Sequence, residues 1–551
     1  MNPPTLRHAG HLIAETLVEH GVDRAFGVPG ESFLALLDGL YDSTVDVVVC
    51  RHEGGAAYMA EATGRMTGVP GVAMVTRGPG AANAFVALHS AWQDGVPLVL
   101  FVGLIPVADR GRESFQEFDP AAWFGTQTKR VLVLESPDRA GEIVAEAFHV
   151  ATSGRPGPVV IGLPEDVVAA ATTVAASRKR SVATGSISAE QLALLSESLR
   201  SAERPLFYIG AQGWTPEASA ELAAFAERNE IPVLQEWRAS DRIPFQSPSN
   251  AGWLGYGATE RTSALLDGAD VLVCIGAVLG DVATAGYTLR QDTAKVTHVI
   301  TLDLELLGSS GPVDLQIAAS PAAAASALTH LDLGRSADWR ERTRGQHTGY
   351  IEESTIPANT ADARPTRVGT AHMGQVVAAV YDRLPDDALM TFGAGNHTSW
   401  AQRYFPTNTF PSLLSVRNGS MGYSVPSALA ASLVAPDRTV VTIAGDGEFL
   451  MNGQELATAV QEHAVFLVIV MDNGHYGTIV SHQKRVYPNR PSGTALANPD
   501  FAELAKAFGA VGVRIDSDET IDAAVEKAFA ALDAGVPALL HVVVDPDIDL
   551  A

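Results

Sequence analysis

Cysteine is scarce in this chain: Cys50 and Cys274 are the only two, far apart and each inside an apolar run. They read as buried thiols, and their number excludes a disulfide framework. Long hydrophobic runs are missing too. No stretch reaches the roughly 18 apolar residues that a spanning helix needs, and MNPPTLRHAGHLIAETLVEHG at the N-terminus is too polar for a secretory signal. A cytoplasmic protein without membrane contact is expected. Positive charge is in deficit: 38 Lys and Arg stand against 63 Asp and Glu, a net charge of −25. That balance argues against nucleic acid and anionic membranes as partners.

What the chain does have is 46% apolar residues, 50 glycines and 31 prolines in 551 residues. This suits a large, turn-rich α/β protein, and the length suggests about three domains. Val168–Gly185 is small, polar and basic; Asp338–Pro365 is highly charged, then rich in Thr, Ala and Pro. Both are expected to be linkers, dividing the chain into 1–170, 186–340 and 360–551. Each piece alternates short apolar strands with helical patterns, so the expected fold class is α/β, with three parallel-sheet domains. In the middle piece the expected strands are Leu206–Gly210, Ile231–Gln235, Val271–Gly276 and His298–Leu302. The outer two pieces could share an architecture.

The densest chemistry lies between Gly445 and Gly477. An apolar strand, Thr439–Ala444, ends in Gly445-Asp446-Gly447; after a helical segment, a second strand, Phe466–Met471, ends in Asp472-Asn473-Gly474. Ligands of open α/β sheets bind outside such carboxyl ends. Asp446 and Asn473 offer oxygens suited to a hard cation such as Mg²⁺, which commonly also holds phosphates. The glycines allow a phosphate close to the backbone, and the following helix start attracts anions. In the N-terminal piece, the strand Val45–Cys50 runs into Arg51-His52-Glu53-Gly54-Gly55. Most lone glutamates are solvated, but Glu53 follows a buried-type strand and precedes an Ala-rich, buried-type helix.

The spacing from GDG to Asn473, together with RHEGGAAYMAEATGRMTGVPGVAMVTRGPGAANA around Glu53, resembles the thiamine diphosphate (ThDP) enzymes. The likeness runs along nearly the whole chain and is strongest to the acetolactate synthase branch, with its relatives the 2-oxo acid decarboxylases and benzaldehyde lyase. It implies a pyrimidine-binding domain, a Rossmann-like central domain and a diphosphate-binding domain. It implies ThDP and Mg²⁺ as cofactors, with Asp446, Asn473 and the carbonyl of His475 on the metal. Glu53 would hydrogen-bond the aminopyrimidine N1′ and favour the imino tautomer, whose N4′ takes the thiazolium C2 proton. Pro29 and Gly30 of Gly27-Val28-Pro29-Gly30 match one cofactor-side turn. Thr76 and the string Gly78-Pro79-Gly80-Ala81-Ala82-Asn83 match another. Gln116, in Phe115-Gln116-Glu117, would lie over the cofactor. Asn396 and His397, in Gly395-Asn396-His397, would contact the diphosphate, with Gly445, Gly447, Glu448, Tyr476 and Gly477 around it. The Gly419 carbonyl would accept from the N4′ amine, and Met421, ordinarily core filler, would wedge between the rings.

Departures from the relatives bear on the reaction. Pyruvate decarboxylases carry a His-His pair and a Glu just after the metal Asn; here DRGRESFQEFD has no such pair and the matching residue is Ile479. Without that donor, capture by a second carbonyl is favoured over release of an aldehyde. Glu31 stands where acetolactate synthases have glycine and decarboxylases a substrate-facing Asp or Ser. It is either an active-site acid or a residue complementing a helix dipole. His482 replaces a channel Trp, and Gly276-Ala277-Val278-Leu279-Gly280 lacks the arginine of the synthases. These changes count against FAD, which the turn Gly210-Ala211-Gln212-Gly213 could otherwise approach. The expectation is a lyase/carboligase acting on a 2-oxo acid, pyruvate first, with a carbonyl acceptor. The alternatives are an aldehyde-releasing decarboxylase, a benzaldehyde lyase-type acyloin lyase, or a non-catalytic ThDP-binding homologue. The resemblance also implies a homodimer or homotetramer with each site shared between subunits.

Overall fold

The computed structural model describes residues 6–210, 213–289, 298–305, 312–356 and 367–546. Three six-stranded, all-parallel sheets follow one another along the chain. The N-terminal sheet is ordered Asp46–Val49, Arg24–Gly27, Gly71–Val75, Leu98–Leu104, Pro158–Pro164, Arg130–Val133. The C-terminal sheet runs Leu413–Leu414, Leu389–Phe392, Val440–Gly445, Leu467–Asp472, Ala538–Val543, Val511–Ile515. Numbered within their own domains, both have the strand order 2-1-3-4-6-5, so the outer domains do share an architecture. The middle sheet runs Asn250–Leu254, Val233–Glu236, Pro205–Ile209, Val271–Ile275, His298–Leu302, Leu315–Ile317. That is the 3-2-1-4-5-6 order of dinucleotide-binding folds.

The strands are apolar without alternation because helices cover both faces. Leu98–Leu104 is buried at every position. The helix Glu53–Thr67 starts where His52 Nδ1 accepts from the Gly54 amide at 3.0 Å and stops at Gly68, whose φ of +69° suits glycine. Its alanines and glycines admit close contact with the helix Ser424–Val434 of the C-terminal domain. That second helix is apolar nearly all round because it is sandwiched between the two domains. One hydrophobic core therefore spans both outer domains. Across this junction the Tyr58 and Tyr423 rings meet edge to face at 5.3 Å, and Tyr423 Oη donates to buried Glu61 at 2.7 Å.

Both cysteines are free and buried, and among the described residues no helix is long and apolar enough to cross a membrane. The expectation of a linker from Asp338 is corrected. Ser336–Ser354 is a 19-residue helix docked on the strand Asn250–Leu254. Its charge hides four buried positions, Trp339, Thr343, Tyr350 and Ser354, whose spacing keeps them on one face. Residues 357–366 of the expected linker lie outside the described residues. In the other expected linker, Ala171–Thr172 pairs antiparallel with Arg7–His8, and the chain then runs without regular structure to residue 188.

Candidate active site

The C-terminal domain changes strand order between Leu389–Phe392 and Val440–Gly445, and a crevice opens at such a point. Three strand ends deliver Gly393–His397, Asp446–Glu448 and Asn473–Gly477 to it, and the segment Gly419–Met421 closes one side. The result is a 220 Å³ cleft lined by Gly395, Asn396, His397, Gly419, Met421, Gly445, Asp446, Gly447, Glu448, Asn473, His475, Tyr476, Gly477 and Ile479, among others. It opens beside a 330 Å³ cavity that shares Asn396, Asn473, His475 and Gly477 and adds Trp400, Lys484 and Arg490.

Glycine is needed here for space. A Cβ on Gly445 would stand 2.8 Å from His397 Nδ1, one on Gly447 2.5 Å from the Tyr476 ring, and one on Gly477 2.8 Å from Asn473 Nδ2. Gly419 instead needs its freedom for conformation, with φ at +68°.

Asp446 is buried at the head of the helix Asp446–Asn452. Its Oδ1 accepts from the Gly447 amide at 2.9 Å, and its Oδ2 from the Gly474 amide at 3.0 Å and Asn498 Nδ2 at 2.7 Å. The same Asn498 amide donates to Asp472 Oδ1 at 2.8 Å, and His541 Nε2 lies 2.9 Å from Asp472 Oδ2. Burial pushes the Asp446 carboxyl up, against those donors. Burial acts the same way on Asp472, but His541 and Asn498 outweigh it and hold that carboxyl down. A buried and a partly buried carboxylate bridged by one amide, with the Asn473 side chain alongside, form an oxygen-rich set that a hard divalent cation would neutralise. Asn498 and His541 come from distant segments and carry no local signal in the sequence. Asp472 is visible in the sequence only as the residue before Asn473 at the strand end.

The pyrimidine-side candidates gather elsewhere, at the carboxyl ends of the N-terminal sheet. Asn83 Nδ2 donates to Glu53 Oε2 at 2.9 Å. Cβ atoms at two glycines would press on this cluster: at Gly80, 3.1 Å from Glu53 Oε1, and at Gly30, 2.6 Å from the Thr76 Cβ. Pro29, beside Gly30, is exposed at the rim. Gln116 faces Gly78, whose Cβ would lie 3.2 Å from its carbonyl, and holds φ at +63°, a left-handed conformation that non-glycine residues adopt at a cost. None of Glu53, Asn83, Thr76, Gly30, Glu31 or Gln116 lines the C-terminal cleft.

Glu31 is mostly exposed and ion-paired at 2.7 Å to Arg77, which is 8% exposed and lies 3.3 Å from Glu165 as well. Arg77 also lines a 350 Å³ cavity with Arg110 and Gln116. Arg77 lies in VTRGPG, two residues past the buried strand Gly71–Val75; a cation so near a buried strand end is the signal that marks it. Ile479 is half exposed at the cleft mouth, and His482 is exposed, its Nδ1 accepting from Arg485 at 2.6 Å. Among the described residues of the middle domain nothing supports FAD. Glu236 sits at the strand ends, where a Cβ on Gly210 would overlap it, and pairs at 3.1 Å with Arg417 from the C-terminal domain. Ala211 and Gln212 lie outside the described residues.

Three family models match the chain: the N-terminal TPP binding domain of thiamine pyrophosphate enzymes over residues 7–123, their central domain over 192–328, and their C-terminal TPP binding domain over 393–542. The chain is 31% identical to an acetolactate synthase large subunit of Parasynechococcus marenigrum, covering 98% of this chain and 88% of the relative. It is 29% identical to an acetolactate synthase of Bacillus subtilis, over 97% and 92%. The large subunit of acetolactate synthase isozyme 2 of Escherichia coli is 30% identical, over 97% and 95%.

Proposed function

Because the chain belongs to the thiamine pyrophosphate enzyme family, in its acetolactate synthase-like branch, we propose that it is a ThDP- and Mg²⁺-dependent carboligase that decarboxylates a 2-oxo acid, pyruvate first, and joins the remaining fragment to a second carbonyl. The observation that carries this reading is the C-terminal cleft. Its glycines leave room only for bare backbone, and its Asp446–Asp472–Asn498 cluster with Asn473 has the donor chemistry for a cation holding a diphosphate. When bound, ThDP supplies the carbon nucleophile and electron sink for loss of carbon dioxide.

The chain's own residues do the rest. Asp446, Asn473 and the His475 carbonyl would hold the metal. Glu53, steadied by Asn83, would share a proton with the pyrimidine N1′. The Gly419 carbonyl would accept from the exocyclic amine, and Met421 would pack against the rings. Ile479 places an apolar side chain at the mouth of the cleft, where a proton donor would otherwise divert the product to a free aldehyde. Glu31, held by Arg77, and Gln116 face the substrate side. Glu53 and the metal cleft do not meet within one chain, which supports a site completed by a second copy.

The test incubates the protein with ThDP, Mg²⁺ and pyruvate and identifies products by mass spectrometry. Acetolactate or acetoin is expected. Free acetaldehyde without a ligated product supports the decarboxylase alternative, and turnover of acyloins alone supports the lyase.

A further inference from the structure

The helix Asp446–Asn452 begins at the expected metal ligand, yet two of its side chains reach away from the metal to a single residue, Gly422. Glu448 Oε1 accepts from the Gly422 amide at 3.2 Å and from the Ser424 amide at 3.4 Å. One turn later, Asn452 Nδ2 donates to the Gly422 carbonyl at 2.8 Å. Both backbone polar groups of Gly422, its amide and its carbonyl, are thus gripped by one rigid element, because side chains four apart on a helix lie on one face. The fit is tight. A Cβ on Gly422 would stand 2.8 Å from Asn452 Nδ2 and 3.0 Å from the Met451 Cβ, and the residue holds φ at +87°.

Glu448 is 1% exposed and also touches a third segment. Its Oε2 lies 2.8 Å from His397 Nε2, and neither atom has a hydrogen-bond partner. A Cβ on Gly393 would overlap Glu448 Oε1, so the turn carrying Asn396 and His397 comes this close only as glycine. A buried carboxylate accepting two amides and facing an imidazole is a fixed object. Losing one of those bonds would strand a buried polar group.

Met421 immediately precedes the gripped residue, and Gly419 lies three positions before Gly422. We propose that Glu448 and Asn452 are positioning residues: a two-point clamp on Gly422 that fixes Met421 and the Gly419 carbonyl relative to Asp446 and His397. The clamp thereby sets how far a bound cofactor is bent between its diphosphate and its rings. This rests on the ThDP reading above. Asn452 stands outside the cleft lining, and Glu448, which is part of it, acts in this role through the Gly422 backbone. The clamp acts on geometry at the ring end while the diphosphate end stays anchored by Asp446, Asn473 and the glycine cradle.

A clamp of this kind separates affinity from activation. Asn452→Ala is expected to bind ThDP·Mg²⁺ within about threefold of the parent, and Glu448→Gln and Glu448→Ala, whose side chain also lines the cleft, are compared with it at saturating cofactor. At cofactor saturation, exchange of the C2 proton for deuterium, followed by NMR, is expected to fall about 10- to 100-fold, the scale set by a displacement near 1 Å. The near-ultraviolet circular dichroism of the bound aminopyrimidine should change in parallel. Glu448→Gln keeps an acceptor for the Gly422 amide and is expected to lose least. Asp446→Ala should show the opposite pattern, with weak binding.

Parent-like exchange and dichroism in Glu448→Ala and Asn452→Ala, at full occupancy, would overturn the clamp while leaving the ThDP reading intact. Failure of the parent itself to bind ThDP or to exchange C2 would sink that reading instead. If either alanine variant loses its fold, the double-mutant cycle between Glu448→Gln and Asn452→Ser decides: additive effects on exchange refute a shared clamp, and coupled effects support it.

Discussion

The Glu53 carboxyl sits between Asn83 Nδ2, at 2.9 Å, and the backbone of the Gly78–Gly80 turn. Glu53→Gln keeps this shape and removes the acid. C2 exchange of bound ThDP is expected to slow by about 10²-fold or more, the usual weight of a general acid–base group, with ThDP affinity little changed; parent-like exchange removes the assigned role. Asp446→Ala tests the other end. It removes the oxygens that the Gly447, Gly474 and Asn498 donors orient, and Mg²⁺-dependent ThDP binding, read by titration calorimetry, is expected to weaken about tenfold or more. Most of these residues were legible as residues, because glycine, Asp, Asn and Glu at strand ends need few explanations other than a ligand. Arg77, Asn498 and His541 were not. Each acts through a partner, Glu31 in one case and the Asp446–Asp472 pair in the others, and such pairing is a matter of distance that spacing along the chain does not encode.

Among the elements, the strands were the easiest to read. The expected strands Thr439–Ala444 and Phe466–Met471 appear as Val440–Gly445 and Leu467–Asp472, one residue displaced, because unbroken apolar runs bounded by glycine leave little choice. The helix Ser336–Ser354 was misread as linker because its charged residues outnumber its apolar ones, and the few that bury were judged by composition rather than by position. Trp339 is 1% exposed against the middle-domain core. Trp339→Ala is expected to cost about 3–5 kcal/mol. In a urea titration, this should appear as an earlier middle-domain transition with ThDP affinity unchanged; an unmoved transition would return the segment to a dispensable linker.

For the whole molecule, the decisive question is which chain completes which site. If the N-terminal cluster of one copy faces the C-terminal cleft of another, a mixed dimer of Glu53→Gln and Asp446→Ala chains contains one site free of both changes. Co-expressed at equal amounts, the two inactive variants are expected to regain about a quarter of the parent activity, since half the dimers are mixed and each has one of two sites intact. Sites built within single chains regain nothing, and that result would refute the shared arrangement. The Glu236–Arg417 pair and the Glu61–Tyr423 bond tie all three domains of a chain together, so the copies are expected to associate as rigid bodies.

The sequence by itself determined the fold class and the family, and it picked out most residues that line the C-terminal cleft, because these are local facts: apolar period, glycine at strand ends, a short motif at fixed spacing. Tertiary structure alone decided three things. It kept Glu53 out of the cleft that holds Asp446, paired Glu31 with Arg77, and set the Glu448 carboxylate against the Gly422 amide at the edge of that cleft. Each depends on where residues far apart in the chain meet, and a contact between distant segments is set by how sheets and helices pack, not by the residues next to it in sequence.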